Sequence, residues 1–260
     1  MFKGSLKHFA PAFLVFVIQF SSCSKEQNWT HEVVSVSDTT YDGASITASY
    51  DIEGAKREVM AGISWSLETL PEVYENEWLE GALQTSGKLS FDLVNLYANT
   101  TYYVNSFIEL KDGGFNYSPD IAFTTPGLPE APCSVVSGEV TLNSTVENMT
   151  DLVQSTSPDG YYVLSCSGPT STMDFFFSEE PRSAIYETEP GVTFLKERIV
   201  YIEGTFEGNP DCTFYGYSGQ DIYVNNDGAG NISISFCAIG LNPISTCDAS
   251  YIAGSGEVHN

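Results

Sequence analysis

Three prolines within seven residues, Pro126-Gly127-Leu128-Pro129-Glu130-Ala131-Pro132, constrain this chain more than any other stretch. Proline donates no backbone hydrogen bond and fixes φ, so such a run cannot pass through the centre of a sheet. It favours an extended, semi-rigid connection instead. The 260 residues are thereby divided into a segment 33–126, a linker 127–132 and a segment 133–260, both segments of ordinary domain size.

The first segment reads as short strands. Ile46, Ala48, Tyr50 and Ile52 alternate with Thr47, Ser49 and Asp51, the period of a half-buried strand. Met60 to Trp65 and Leu89 to Leu93 are further strands, and Lys111-Asp112-Gly113-Gly114 supplies a hairpin turn where φ is free to be positive. Tyr102, Val104, Ser106 and Ile108 are expected on one face, and a last strand is expected to end near Phe123-Thr124-Thr125.

Leu96-Tyr97-Ala98-Asn99-Thr100-Thr101-Tyr102 carries Leu96 and Tyr102 in the pattern L-x-x-x-T-x-Y. It resembles the tyrosine corner of fibronectin type III domains. The resemblance covers about 95 residues and implies a sandwich in which the Tyr102 ring is core and its hydroxyl bonds back to the chain just upstream. Trp78, in Glu75-Asn76-Glu77-Trp78-Leu79-Glu80, falls in an expected loop between the middle strands. A loop tryptophan ringed by acids is a candidate contact for a sugar or a protein partner; the plainer reading is that it covers its own domain edge.

The second segment is also β-rich: Tyr161 to Cys166, Phe175 to Phe177, Ile199 to Phe206 and Thr213 to Tyr217 are strand candidates. Its clearest hairpin joins Asp221–Val224 to Ile232–Cys237 through Asn225-Asn226-Asp227-Gly228-Ala229-Gly230, with Ile232, Ile234 and Phe236 inward. Asn225 to Gly228 brushes a calcium-loop pattern, but the first ligand position would be Tyr223 and the bidentate acid is missing, so a plain turn is expected. Tyr251 to Val258 reads as a terminal strand. The chain is thus expected to be all-β, with two tandem β-sandwich-like domains after a signal peptide.

That signal occupies residues 1–22. Lys3, Lys7 and His8 precede an apolar run from Phe9 to Phe20 broken only by Pro11 and Gln19, well short of the roughly 20 residues a spanning helix needs. Ser21-Ser22-Cys23, with Phe20 where Leu is most usual, resembles the lipobox of bacterial lipoproteins. The resemblance implies cleavage before Cys23, lipid on its thiol, a membrane partner reached through that lipid, and an anchor linker 23–32. Ser24-Lys25-Glu26-Gln27 is similar to the signal that sends Bacteroidota lipoproteins to the outer face of the outer membrane.

Formal net charge is −24, and losing Lys3 and Lys7 makes the remaining chain more negative still. A phosphate backbone needs clustered Lys and Arg, so nucleic acid is excluded as a partner. The acidity suits solubility at a crowded surface. Divalent cations are the sharper reading, but no ligand loop of recognisable spacing appears. With Cys23 assigned to lipid, Cys133, Cys166, Cys212, Cys237 and Cys247 remain, none in a C-x-x-C pair. An oxidising compartment predicts two disulfides and one leftover thiol, for which about 15 arrangements exist. Cys133 opens its segment and Cys237 ends a central strand, which makes them the candidate pair.

After cleavage only His31 and His259 survive, one expected in the anchor linker and one beside the C-terminal residue, both solvated. Imidazole-dependent catalysis and metal binding therefore lack a placed ligand, and no catalytic residue, metal or cofactor is expected. Two non-enzymatic roles stay open: an adhesion, spacer or protein-interaction protein, or one that captures a glycan or similar ligand for an uptake system. A secreted hydrolase is the third alternative, since many carboxylate pairs are available but none stands out.

Overall fold

A computed structural model describes residues 29–55, 58–111, 113–142, 145–192, 196–206, 213–243 and 252–259. Cys23 and the signal 1–22 lie outside the described residues, as do Cys212 and Cys247. Within them the protein is all-β, and no helix is long and apolar enough to cross a membrane.

Eight strands build the first module: β1 Thr30–Ser37, β2 Ala44–Asp51, β3 Val59–Ser66, β4 Glu77–Leu83, β5 Gly87–Leu93, β6 Thr101–Glu109, β7 Phe115–Tyr117 and β8 Ile121–Thr124. They form a three-stranded sheet β1-β2-β5 facing a sheet β4-β3-β6-β7, with β8 also paired to β6. Ile46, Ala48, Tyr50 and Ile52 are all buried and meet Val59, Ala61, Ile63 and Val104 from the other sheet. The Tyr50 hydroxyl crosses the core to donate to the Gly62 carbonyl at 2.7 Å.

Two sequence expectations fail here for one reason, contact with distant strands. The module starts before residue 33, because β1 begins at Thr30 and Trp29 packs on the core. His31 is not a solvated linker residue: it stacks on Tyr50 at 6.0 Å, and its Nδ1 shares a 2.8 Å hydrogen bond with Ser106 of the opposite sheet. Burial pushes the His31 imidazole below its ordinary value, against opposing hydrogen bonds with Asn116.

Residues 125–136 carry no strand. The linker is tethered at both ends. The Asn99 amide donates to the Pro126 carbonyl at 2.9 Å, and Cys133 is bonded to Cys237 with a Cα–Cα distance of 5.7 Å.

Beyond it come β9 Glu139–Leu142, β10 Thr145–Asn148, β11 Val153–Thr156, β12 Tyr162–Ser167, β13 Ser171–Phe177, β14 Ala184–Thr188, β15 Ile199–Phe206, β16 Thr213–Gly216, β17 Asp221–Asn226, β18 Ile232–Pro243 and β19 Ile252–His259. The order is β10-β9-β19-β18-β17-β14-β15-β13-β12-β11, with β16 paired to both β15 and β18. The outermost strands, β10 and β11, are consecutive in the chain, so the sheet must curl until its ends meet. The connecting residues bond to both ends: Thr150 N–H to Ser167 of β12 at 2.8 Å and Leu152 N–H to His259 of β19 at 2.9 Å. Glu147 of β10 accepts from Ser171 Oγ of β13 at 2.6 Å. Inside the curl, Leu164, Phe175, Phe177, Phe214, Ile234 and Phe236 belong to one buried apolar core.

One irregularity shapes this sheet. Between β15 and β18 lie two strands, β14 and β17, at one end and only β16 at the other. Where the count changes, side chains take over from backbone. The Gln220 amide accepts from Gly240 N–H and donates to Gly240 C=O at 3.2 Å, standing in for an absent strand, and Thr188 Oγ1 accepts from Gln220 N–H at 3.0 Å.

Candidate functional site

Trp78 sits not in a loop but in β4, opposite Ser64 of β3. Strand pairing with β3 supplies what the acid-rich local sequence does not advertise. Its indole stands edge-on to Phe107 at 6.2 Å and to Tyr74 at 5.5 Å. Phe107 also meets Phe115 at 5.4 Å and Tyr117 at 6.4 Å. These rings cover the outer face of the sheet, away from the sandwich core.

Tyr102, Val104 and Ile108 share the inner face as expected, with Ser106 turned to His31 of the opposite sheet, and Phe107 is fully buried on the outer one, so β6 hides both faces. Gly62 makes this close approach available. It is the cross-strand partner of Phe107, and a Cβ on Gly62 would meet the ring at 2.5 Å.

The segment 67–76 folds across the same face. Leu70 and Tyr74 adopt φ of +61° and +70°, a left-handed conformation that costs on the order of 1–3 kcal/mol for such residues. Specific bonds hold it: Leu70 N–H to the Asp120 carboxylate at 2.7 Å, Asn105 Nδ2 to Pro71 C=O at 2.9 Å, and Val73 N–H to the Tyr117 hydroxyl at 2.9 Å. The outcome is Tyr74 presented to solvent, 75 % exposed, above Trp78.

Beside the rings lies a groove of about 790 Å³, on the side where β4 and β5 are the outer strands of their sheets. Its apolar wall includes Tyr74, Trp78, Leu79 and Val94, and its rim carries Glu68, Glu75, Glu77, Asp92 and Glu197. Among the described residues no lysine, arginine, histidine or cysteine lines it. Such a surface is equipped to bind by stacking and by charge.

At one end the groove reaches the joint between modules. The Tyr102 hydroxyl accepts from the Tyr97 amide at 2.8 Å, while Leu96 is buried in the first core. Tyr97 is thus aimed at the second module, where it packs on the core and its hydroxyl donates to Glu197 at 2.9 Å. Arg182 and Arg198 lie 5.0 and 5.5 Å from its ring centroid. Arg198 also donates to the Leu96 carbonyl, and Ala98 N–H donates to Ser183 C=O at 2.7 Å. Burial, then the bond to Glu197, pushes the Tyr97 phenol up, so it stays a neutral donor.

The remaining candidates carry little chemistry. Cys166 is a buried free thiol that burial pushes up to about 12, protonated and unreactive. Asp227 spends its carboxylate on Ala229 and Asn231 within its own turn. His259 bonds Ser137 at 3.0 Å. Among the described residues no three His, Cys, Asp or Glu side chains gather in a group fit for a metal ion. The rings around Phe107 were missed from sequence; the usable signal was Gly62 inside an apolar strand, which marks a close approach.

No protein-family model matches this chain, and no curated protein matches it. Among solved structures it is similar to a cycloalternan-degrading enzyme from Trueperella pyogenes. The match to that enzyme in complex with a covalent intermediate has 8% identity and a TM-score of 0.22, covering 85% of this chain and 33% of the other. A second structure of the enzyme gives 8% identity and a TM-score of 0.21, covering 85% and 30%. The chain spans about a third of the length of those structures, and likeness at this level carries no argument about activity.

Proposed function

We propose that this chain is a non-catalytic lipoprotein, anchored through Cys23 at the outer face of an outer membrane, whose first module is a stiff fibronectin type III-like spacer presenting the second for adhesion or protein interaction. The observation that carries this reading is the joint: Tyr97, fixed from behind by Tyr102, is clasped by Arg182 and Arg198 of the next module. A spacer works only if the angle it sets is kept, and cation–π contacts with backbone hydrogen bonds oppose bending. The two facing sheets, in which β7 and β8 both pair with β6, and the Tyr102 hydroxyl bond support the type III likeness. An acyl chain contributes about 0.8 kcal/mol per buried methylene, so the two or three chains of a lipoprotein cysteine hold a protein at a membrane.

Metabolic labelling with a fatty-acid analogue tests the anchor. Label is expected on the wild type and absent from Cys23→Ser; label that persists in the variant refutes lipidation at this residue. Protease added to whole cells is expected to digest the protein, and full protection contradicts outer-face display.

A second reading, glycan capture for an uptake system, is favoured by the exposed Tyr74 and the adjoining Trp78 at the groove. A glycan array with the whole chain separates the two: specific retention that Trp78→Phe or Tyr74→Ala abolishes selects capture.

A further inference from the structure

The groove beside β4 combines three properties. Leu67, Tyr74, Leu79 and Val94, all lining it, are exposed large hydrophobics at 37%, 75%, 37% and 67%. A patch of that kind rimmed by polar groups marks an interaction surface. Its carboxylates outnumber the cations near it: among the described residues no lysine or arginine lines the groove, and Arg182 and Arg198 stand only at its joint end, against Tyr97. Finally, β4 is an outer strand, paired on one side only, to β3.

An outer strand invites another strand. Here Glu77 and Glu80 on β4, within a chain of net charge −24, repel a second copy of the same protein, while an oppositely charged strand meets no such barrier. We propose that this groove seats an extended basic segment of a partner protein, its backbone adding to the edge of β4, its apolar side chains on Leu79 and Val94, and its Lys or Arg groups against Glu75, Glu77 and the Tyr74 and Trp78 rings. The mode is strand addition with charge as the selector, and aromatic faces beside carboxylates favour a cation over a neutral ligand. This deepens the protein-interaction reading above and rests on it.

The test uses the full chain in a neutral detergent at physiological salt, titrated with a synthetic peptide of alternating lysine and valine and followed by tryptophan fluorescence and calorimetry. Saturable binding is expected, weakened about tenfold or more by Glu75→Gln with Glu77→Gln and by Tyr74→Ala, a solvent-exposed site chosen to leave the fold intact. Asp159→Asn with Glu179→Gln, exposed in the second module and equal in charge change, is expected to bind as the wild type. Equal weakening in that control, or no saturable binding to the wild type, overturns the proposal, as does tighter binding of a neutral oligosaccharide at the same residues. The lipid-labelling outcome at Cys23 is independent of all of these, so failure here and failure of the surface-protein reading are told apart.

Discussion

The Arg182 guanidinium lies 5.0 Å from the centre of the Tyr97 ring, and this pair joins two modules that the proline-rich linker would otherwise leave loosely strung. The linker's prolines make it semi-rigid, but they do not fix a rotation. Side chains on either side of it do.

Behind that contact stands Tyr102. Its hydroxyl accepts the Tyr97 N–H, so Tyr102→Phe strands a partly buried donor, at a cost of about 1–3 kcal/mol. The ring keeps its 5.8 Å stacking on Phe123, and the fold is expected to survive. Chemical denaturation should show an earlier midpoint for the first module at unchanged slope; an unmoved midpoint removes the corner from the account.

His31 makes the first module sensitive to acid. Burial holds its folded-state pKa below the ordinary 6.5, so below that pH the unfolded chain binds the proton first, and stability falls with pH until the folded value is passed. Wild type and His31→Gln are therefore expected to diverge as the pH falls through 6.5, the wild type losing more. Parallel pH profiles would show that burial does not hold the folded-state value of His31 below its unfolded one.

Gln220→Ala leaves the Gly240 amide without its partner where two strands give way to one. A loss of about 1–3 kcal/mol in the second module is expected, with faster amide exchange at Gly240. No change in exchange there would mean that the backbone closes the gap unaided.

How much of this was legible in sequence differs by residue. Alternation gave the core faces of β2 and β18 because each strand half-buries itself within a few residues. Cys133 and Cys237 were chosen by position alone, and the bond between them spans 104 residues. Trp78 was misread as a loop residue because its strand owes its existence to β3, not to its own acidic neighbours. His31 was misread because its partner, Ser106, is 75 residues away. The parallel pairing of β14 with β15 and the Gln220 mimicry likewise depend on what a curled sheet brings together. The groove is composite in the same way: β4, the end of β5 and Glu197 meet only after folding.

The disulfide closes a loop long enough that its loss is expected to cost about 2–5 kcal/mol. Reduction, or Cys133→Ser, should lower the second thermal transition of the chain and leave the first module's in place, since no cysteine occurs in residues 30–127. Coincident loss of both transitions would mean that the first module depends on the second for its stability.

The stiff joint is tested most directly by small-angle X-ray scattering of the chain in solution, wild type beside Tyr97→Ala. One rigid arrangement of the two modules is expected to fit the wild-type curve, whereas the variant, stripped of both arginine contacts and the Glu197 bond, should require a spread of angles and show a larger radius of gyration. A wild-type curve that itself demands such a spread, or a variant indistinguishable from it, would contradict the account of this chain as a spacer that holds its second module at a set angle.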